Sequence, residues 1–301
     1  MHISVHHSEE DASINVKLVK DGHIYETRFV QRNRDKIIIY FSPMSGCDLA
    51  CRMCHLTQTK QTNMRPATID DIKEQFSEIM KVIPTEKFVN AVRINFNFMA
   101  RGDFFSNPIL RSQINEIAEW LSEQATLLGL TYAVKISTIF PKIADDETSS
   151  VDMYKEILQS IDEQYDVDLY YSLYSLDKTF RKRWLPNALF PDCVKNILNN
   201  YSMNVWVHHA LIAGENDRDE DARQVANWIS QVKCVGYVNL VHYNGFDPER
   251  HGHASDMQTV RTYAHILNDR TCLLRTRIIP RVGFDVAASC GMFLNSVTGE
   301  N

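Results

Sequence analysis

Short apolar strands and amphipathic helices alternate along most of the chain. Residues 14–41 show the two-residue periodicity of strands, and Lys20-Asp21-Gly22 within this stretch is typical of a hairpin turn. After residue 41, segments with helical periodicity alternate with segments with strand periodicity. The pattern predicts helices at 67–80, 109–128, 151–164, 192–200, 219–232 and 256–267, and strands at 92–99, 132–137, 168–173, 204–211, 235–242 and 273–279.

This alternation predicts an α/β fold. Strands that are separated by helices join through right-handed crossovers and form a parallel sheet. About six such units are too few to close an eight-stranded barrel. We therefore predict a partial (β/α)6 parallel barrel at 33–295, with a short N-terminal β-hairpin extension at 1–32 and a tail at 296–301. The catalytic residues of parallel β/α folds lie at the carboxyl ends of the strands.

The composition is that of a soluble protein. The 301 residues are 44% hydrophobic and 23% charged, which suits one large domain. No run approaches the ~20 apolar residues that cross a bilayer, and the first residues lack the features of a signal peptide. Seven cysteines, an odd number in a chain of this size, favour reduced thiols and a cytoplasmic location.

The net charge of −6 argues against a broadly basic surface for nucleic acid, although a local patch can suffice for RNA. Two local patches exist: Arg181-Lys182-Arg183, and the group Arg275, Arg277 and Arg281. Taken alone, each patch is more typical of a solvated face than of a binding site.

Three cysteines, Cys47, Cys51 and Cys54, stand in a CxxxCxxC spacing directly after the apolar run at 36–41. Three thiolates on one loop can hold three irons of a [4Fe–4S] cluster and leave the fourth iron open to a small ligand. The alternatives are chance spacing or zinc, but zinc commonly takes four protein ligands, and the chain has no second CxxC pair. The spacing therefore favours a [4Fe–4S] cluster of the radical SAM type, whose open iron binds S-adenosylmethionine (SAM).

Further motifs resemble one family of radical SAM enzymes, the RlmN/Cfr family of RNA adenine methyl synthases. The resemblance covers residues 20–295, in the same order and at similar spacing. Its motifs are the cysteine loop at 42–54, the strand and loop at 95–107, the strand ends at 136–138, 172–175 and 242–246, and the Cys290-Gly291 loop at 285–291.

The resemblance implies a role for each matching residue. The cluster would be held by Cys47, Cys51 and Cys54. SAM would be contacted by Gly102, Asp103, Ser137, Ser172 and Asn244. Family members carry Glu at the position of Asp103, and an Asp side chain is one methylene shorter. A strand-end Ser or Asn can also simply cap a helix or close a turn. A reductase such as flavodoxin or ferredoxin would donate the electron.

By the same resemblance, Cys290 would take a methyl group from one SAM, and a radical from a second SAM would activate that methyl group for addition to adenine. A thiolate is a good nucleophile toward a sulfonium methyl group. The alternative is a buried cysteine that acts as a small hydrophobe beside Ala287 and Ala288.

The chain departs from the family at Tyr40. The family has a second catalytic cysteine seven residues before the first cluster cysteine, and here Tyr40 occupies that position. A tyrosine can act as a base but cannot form the disulfide that releases the product. Another cysteine folded close by, such as Cys193, Cys234 or Cys272, could substitute for it. Otherwise an external thiol must release the product, or the reaction differs. The family's N-terminal accessory domain and basic C-terminal tail, both expected to help grip RNA, have no counterpart here.

Three functions remain open from the sequence. The first is methylation of an adenine in RNA (rRNA or tRNA), with Cys290 and Tyr40 as catalytic residues. The second is a radical SAM enzyme of the same lineage that acts on a nucleotide, a metabolite or a protein without methyl-cysteine chemistry. The third is a non-catalytic binding module, which the intact cysteine triplet disfavours. We expect the first, with RNA as the partner and no membrane.

Overall fold

The computed structural model describes residues 1–270 and 275–294. Its strands form one sheet, in which each strand pairs with its neighbours in chain order. The strands are β1 (His2–His7), β2 (Ile14–Lys20), β3 (His23–Val30), β4 (Lys36–Phe41), β5 (Arg93–Phe98), β6 (Thr131–Thr138), β7 (Val167–Ser172), β8 (Val205–Ala210), β9 (Val235–Val241) and β10 (Arg275–Ile278). The strands from β1 to β4 pair antiparallel, and those from β4 to β10 pair parallel.

Every connection between successive parallel strands contains at least one helix, as parallel crossovers require. The helices are α1 (His55–Gln58), α2 (Ile69–Val82), α3 (Pro108–Ser112), α4 (Ile114–Leu127), α5 (Glu147–Gln159), α6 (Lys178–Trp184), α7 (Pro191–Leu198), α8 (Asp219–Ile229), α9 (Pro248–His251) and α10 (Met257–Arg270). Within the described residues, no helix is long and apolar enough to cross a membrane.

The predicted α/β class with a parallel sheet is confirmed, with differences at particular elements. The predicted helix at 109–128 is two helices, because the backbone of Gln113 leaves helical geometry (φ −117°, ψ 26°). The sequence does not predict β1, which is half-exposed, or α6, which carries the basic stretch at 181–183. The predicted strand at 273–279 is observed over Arg275–Ile278, and residues 271–274 and the tail at 296–301 lie outside the described residues.

The parallel strands have an apolar face toward the helices and a more polar face on the other side. In β4, Ile37 and Ile39 are buried in the main hydrophobic core, whereas Lys36 and Tyr40 line a cavity. Successive side chains of a strand point to opposite faces. The sheet therefore separates the core from the cavity.

The antiparallel strands at the N-terminus hold the C-terminal loop in place. In the β2–β3 turn, Asp21 (φ 52°) and Gly22 (φ 77°) both have positive φ, as two-residue hairpin turns of type I′ require. After β1, the Ser8 hydroxyl and the Glu9 amide each donate to the Asp285 carboxylate at 2.8 Å. Segments that are far apart in sequence are thus joined beside the cavity.

Candidate active site

A cavity of about 400 Å³ opens on the polar face of the sheet. Residues of β4 to β10 and of the loop at 280–291 line it. Five of the residues predicted to be catalytic or to contact SAM lie on its wall: Tyr40, Ser137, Ser172, Asn244 and Cys290. Most of them lie toward or just after the carboxyl ends of strands, where ligands bind in parallel β/α folds.

The three cysteines occupy the loop between β4 and α1. Gly46 packs so tightly against the returning chain that a Cβ at this position would lie 2.6 Å from the carbonyl oxygen of Asn63. The amide of Cys54 donates to the carbonyl of Cys51 at 3.0 Å. These backbone contacts fold the loop into a compact turn, which carries all three thiols.

The three thiols are buried or half-buried. Burial is the largest effect on each of them and raises the pKa of Cys47, Cys51 and Cys54. The pKa of Cys51 is raised further by the other two thiols, so the three lie near one another. No three His, Cys, Asp or Glu side chains of the described residues are close enough to hold a single metal ion. Three soft thiolates on one loop instead fit an iron–sulfur cluster, which spreads its ligands over several irons.

Gly102 and Asp103 lie in the loop after β5 and pack against the cysteine loop. Gly102 has φ 87°, and a Cβ there would lie 2.5 Å from the Cβ of Met44, so the position requires glycine. The buried Asp103 carboxylate accepts from two backbone amides at 3.0 Å and from the Thr138 hydroxyl at 3.2 Å. Burial raises the pKa of Asp103 to about 6. Neither Gly102 nor Asp103 is part of the cavity wall, and the carboxylate of Asp103 is held by the surrounding chain.

Several buried polar atoms at the cavity wall have no hydrogen-bond partner. They are the side-chain carbonyl oxygens of Asn97, Asn239 and Asn244 and the indole N–H of Trp206. Buried polar atoms in folded proteins are nearly always paired, so these atoms are candidates to bind a polar ligand. Together with the hydroxyls of Ser137 and Ser172, they fit a ligand as polar as SAM.

Cys290 lies on the cavity wall, in a loop that is bound to the cysteine loop. The Asn244 side-chain amide donates to the Cys290 carbonyl at 3.0 Å, and the His55 amide donates to the Gly291 carbonyl at 2.9 Å. Cys290 is exposed at the cavity, but protein crowds its thiol and raises its pKa, and nearby Arg32 partly opposes this rise. The residue is thus presented beside the segment that follows the third cysteine.

Two further cavity residues lie near Cys290. Burial lowers the pKa of Arg32, but nearby Tyr40 and Cys290 outweigh this effect and raise it. Burial, followed by the nearby thiols of Cys290 and Cys51, raises the pKa of Tyr174. Arg32 is therefore close to both proposed catalytic residues, and Tyr174 is close to both Cys290 and the cysteine loop.

The remaining described cysteines lie away from the cavity. Cys193 and Cys234 pack against the main hydrophobic core, and the Cys234 thiol lies 3.4 Å from the Leu198 carbonyl oxygen. Cys272 lies outside the described residues. Within the described chain, Cys290 is the only cysteine on the cavity wall.

The sequence motifs leave part of the cavity wall unassigned, notably Arg32, Lys36, Asn97, Tyr174 and His208. Polar residues at alternate strand positions, such as Asn95 and Asn97 in β5, are the signal that could have identified some of them. Buried parallel strands normally read as continuous apolar runs. The alternation marks a strand that faces a polar cavity.

The two basic stretches contain residues with specific positions in the fold, although Lys182 and Arg183 are exposed. Arg181 is buried and donates to the carbonyls of Leu173 and Leu189, at 2.7 Å each, so it supports the local fold. Arg277 and Arg281 line the cavity, and the side chain of Arg275 lies outside the described residues.

No protein-family model matches the chain. It is similar to a probable dual-specificity RNA methyltransferase RlmN from Clostridium botulinum, with 25% identity over 290 residues that cover 93% of this chain and 75% of the relative. Among solved structures, a radical SAM methyltransferase from Sphaerobacter thermophilus has a TM-score of 0.74, with 18% identity over 96% of this chain and 79% of that chain. SuiB from Streptococcus suis, solved bound to SAM, has a TM-score of 0.52, with 14% identity over 85% of this chain and 56% of that chain. The chain therefore has the fold of a radical SAM methyltransferase and, as the sequence predicts, resembles the RlmN-type RNA methyltransferases along nearly its whole length.

Proposed function

We propose that this chain is a radical SAM methyltransferase that modifies an adenine of RNA and carries the methyl group on the sulfur of Cys290. Its similarity to a protein named as an RNA methyltransferase, and its fold, support an enzyme rather than a binding module. When bound, a [4Fe–4S] cluster and SAM would supply the methyl group and the radical chemistry. The cluster would be held by Cys47, Cys51 and Cys54.

The position of Cys290 is the observation that carries the proposal. The residue lies on the wall of a cavity that contains unpaired polar atoms, and its loop is tied to the cysteine loop through His55 and Gly291. Its sulfur would form a bond to the methyl group as the sulfonium–methyl bond breaks. The pKa of Cys290 is raised, so its thiol is protonated at neutral pH. The thiol must lose this proton before its sulfur can attack, because the thiolate is the nucleophile.

We assign Tyr40 the role of proton acceptor at its phenol oxygen. Tyr40 lies on the cavity wall, close enough to Arg32 for the guanidinium to donate to its phenol oxygen. The target carbon of the base would give up this proton once the new carbon–carbon bond has formed, and the unpaired electron left by the radical addition would return to the iron–sulfur cluster. A tyrosine can perform this step, although it cannot resolve a covalent adduct as a second thiol would.

The cavity also limits how the RNA can bind. A cavity of about 400 Å³ is too small for a duplex. Enzymes that act on a base take it out of the stack or use a single-stranded site. The target adenine would therefore enter the cavity from a loop or an unpaired segment.

One observation favours a second candidate function. Within the described chain, no second cysteine lines the cavity, and Tyr40 stands at the family's position for it. A radical SAM enzyme of this lineage that acts on a nucleotide, a metabolite or a protein side chain without methyl-cysteine chemistry needs no resolving thiol.

The test is to purify the protein without oxygen, reconstitute its cluster, incubate it with SAM, and map the peptide that contains Cys290 by mass spectrometry. We expect the added mass of one methyl group on Cys290 and none on Cys193. Cys290→Ala should abolish the modification, whereas the matched variant Cys193→Ala, changed at a cysteine outside the cavity, should retain it. An unmodified Cys290 in protein that still releases 5′-deoxyadenosine under reduction would overturn the methyl-cysteine proposal and favour the second candidate.

A further inference from the structure

The charge of the cavity wall is opposite to that of the whole chain. The chain has 38 acidic and 32 basic residues. Nevertheless, no Asp or Glu of the described residues lines the cavity, whereas six cationic residues do: Arg28, Arg32, Lys36, Lys135, Arg277 and Arg281. We call these six residues the cationic wall.

Most of the cationic wall is not neutralised by the protein. Arg28 pairs with Glu26 at 2.9 Å, and Lys135 pairs with Asp168 at 3.1 Å. In the part of the chain that the structure describes, no carboxylate forms an ion pair with the other four, which are Arg32, Lys36, Arg277 and Arg281. Like charges that converge without partners repel one another, and a bound anion relieves that repulsion.

An aromatic stack positions one of these unpaired cations. The rings of Tyr170, Trp206 and Tyr237 lie nearly parallel across β7, β8 and β9, with centroids 5.7 Å and 4.5 Å apart. The Arg277 guanidinium lies over the Tyr237 ring, 3.7 Å from its centroid. This contact uses the face of the guanidinium and leaves its in-plane N–H groups free to donate. Arg277 is thus held for a ligand with paired oxygen acceptors.

We infer that the cationic wall binds the phosphate group of a nucleoside phosphate, chiefly through Lys36 and Arg277. Of the four cations without a carboxylate ion pair, Arg32 is also close to Tyr40 and Asp11. The other three still match a ligand with more than one negative charge better than a monocarboxylate. A guanidinium also binds two phosphate oxygens at once, and an ammonium adds a compact charge. The ligand can be a free nucleotide or one nucleotide of an RNA strand, and both present the same phosphate chemistry. The inference rests on the proposed function only for the choice of adenine as the base.

The test is a binding measurement that requires no turnover. Reconstituted protein with SAM present and no reductant is titrated by calorimetry with adenosine 5′-monophosphate, with adenosine, and with a short single-stranded oligoadenylate. We expect the monophosphate to bind at least about tenfold more tightly than adenosine, the size of one or more charge-assisted hydrogen bonds. This advantage should shrink as salt concentration rises. The oligoadenylate distinguishes an RNA source from a free nucleotide.

A matched pair of variants assigns the effect to the wall. Lys36→Gln/Arg277→Gln should remove the advantage of the monophosphate over adenosine while SAM still binds. Lys233→Gln/Arg261→Gln removes the same charge at two exposed positions outside the cavity and should leave the advantage unchanged. SAM binding in both variants reports that the fold is intact.

The inference is overturned if no phosphate-bearing probe binds better than adenosine, or if the cavity variant keeps the full advantage. It is also overturned if the cavity variant loses SAM binding alone, because the wall would then serve the cofactor. These outcomes are independent of methylation at Cys290, so the binding test can be interpreted even if the proposed function is wrong.

Discussion

His209, near the end of β8, is almost fully buried, and its Nε2 lies 3.1 Å from the Tyr263 hydroxyl. Burial lowers the pKa of His209 to about 4, with a smaller opposing effect from Asp221. The folded protein therefore contains a neutral ring at neutral pH, whereas the unfolded chain takes up a proton near the ordinary value of about 6.5. Neighbouring His208 lines the cavity and is held neutral for the same reason, since burial lowers its pKa to about 3.

The pH dependence of stability should report the burial of His209. The unfolded state binds the proton of His209 more tightly than the folded state does. The contribution of His209 to the free energy of unfolding is therefore complete above about pH 6.5 and decreases as the pH falls, by about 3 kcal/mol at pH 4. His209→Gln has no such titration. The free energy of unfolding of the wild type relative to this variant should therefore fall by about 3 kcal/mol between neutral pH and pH 4. Urea unfolding of the cofactor-free wild type and variant at a series of pH values measures this change. A difference in free energy of unfolding that stays constant with pH would contradict the prediction.

Between elements, one buried carboxylate joins the segments around the site. Glu26 of β3 accepts from Asn15 of β2, from Arg28, from Arg101 in the loop after β5, and from the amide of Leu294, at 2.8 to 3.1 Å. Its two oxygens thus accept four hydrogen bonds, the full capacity of a carboxylate. Burial opposes ionisation of Glu26, but the two guanidinium groups outweigh it and lower its pKa. This contact set connects the N-terminal strands to the C-terminal loop.

Glu26→Gln should destabilise the protein strongly, because it leaves two buried guanidinium groups without a countercharge. We expect the free energy of unfolding to fall by about 3 kcal/mol or more. Glu74→Gln, which removes a partly exposed ion pair with Lys20, should cost about 1 kcal/mol or less. Alkylation of Cys290 should also become faster in Glu26→Gln than in Glu74→Gln, because the loop is less firmly held. Equal stability of the two variants would show that Glu26 does not join these elements.

Element order is what the sequence predicts best, because strands with one buried face and helices with a buried stripe both leave a periodic signal. The predicted strand at 132–137 and the observed β6 differ by one residue at each end. Helix α6 escapes prediction because its 7 residues are too few to show a clear helical period. The burial of Arg181 escapes it too, because an Arg normally lies at the surface, whereas here its guanidinium donates to buried carbonyls. The sequence groups Arg277 with Arg281, but the rest of the cationic wall escapes prediction, since its residues are scattered from 28 to 135 and only folding brings them together.

At the scale of the whole molecule, the six cysteines that the structure describes fall into separate groups. Three lie on the cysteine loop, Cys290 faces the cavity, and Cys193 and Cys234 pack against the core. The transferred methyl group would link the Cys290 sulfur to the substrate base as a methylene bridge. No other thiol of the described cavity wall can then release the base from Cys290. The release step would then need a thiol from outside the cavity.

Multiple turnovers should therefore depend on added thiol. An external thiolate would attack the Cys290 sulfur and form a mixed disulfide, while the substrate carbon takes a proton and becomes a methyl group; a second thiol then regenerates Cys290. With electrons supplied by a flavodoxin system rather than a chemical thiol, we expect about one turnover per protein without dithiothreitol and several with it. If several turnovers occur without added thiol and disappear in Cys272→Ser, Cys272 is an internal resolving thiol. If they persist in that variant, the product leaves without any disulfide step.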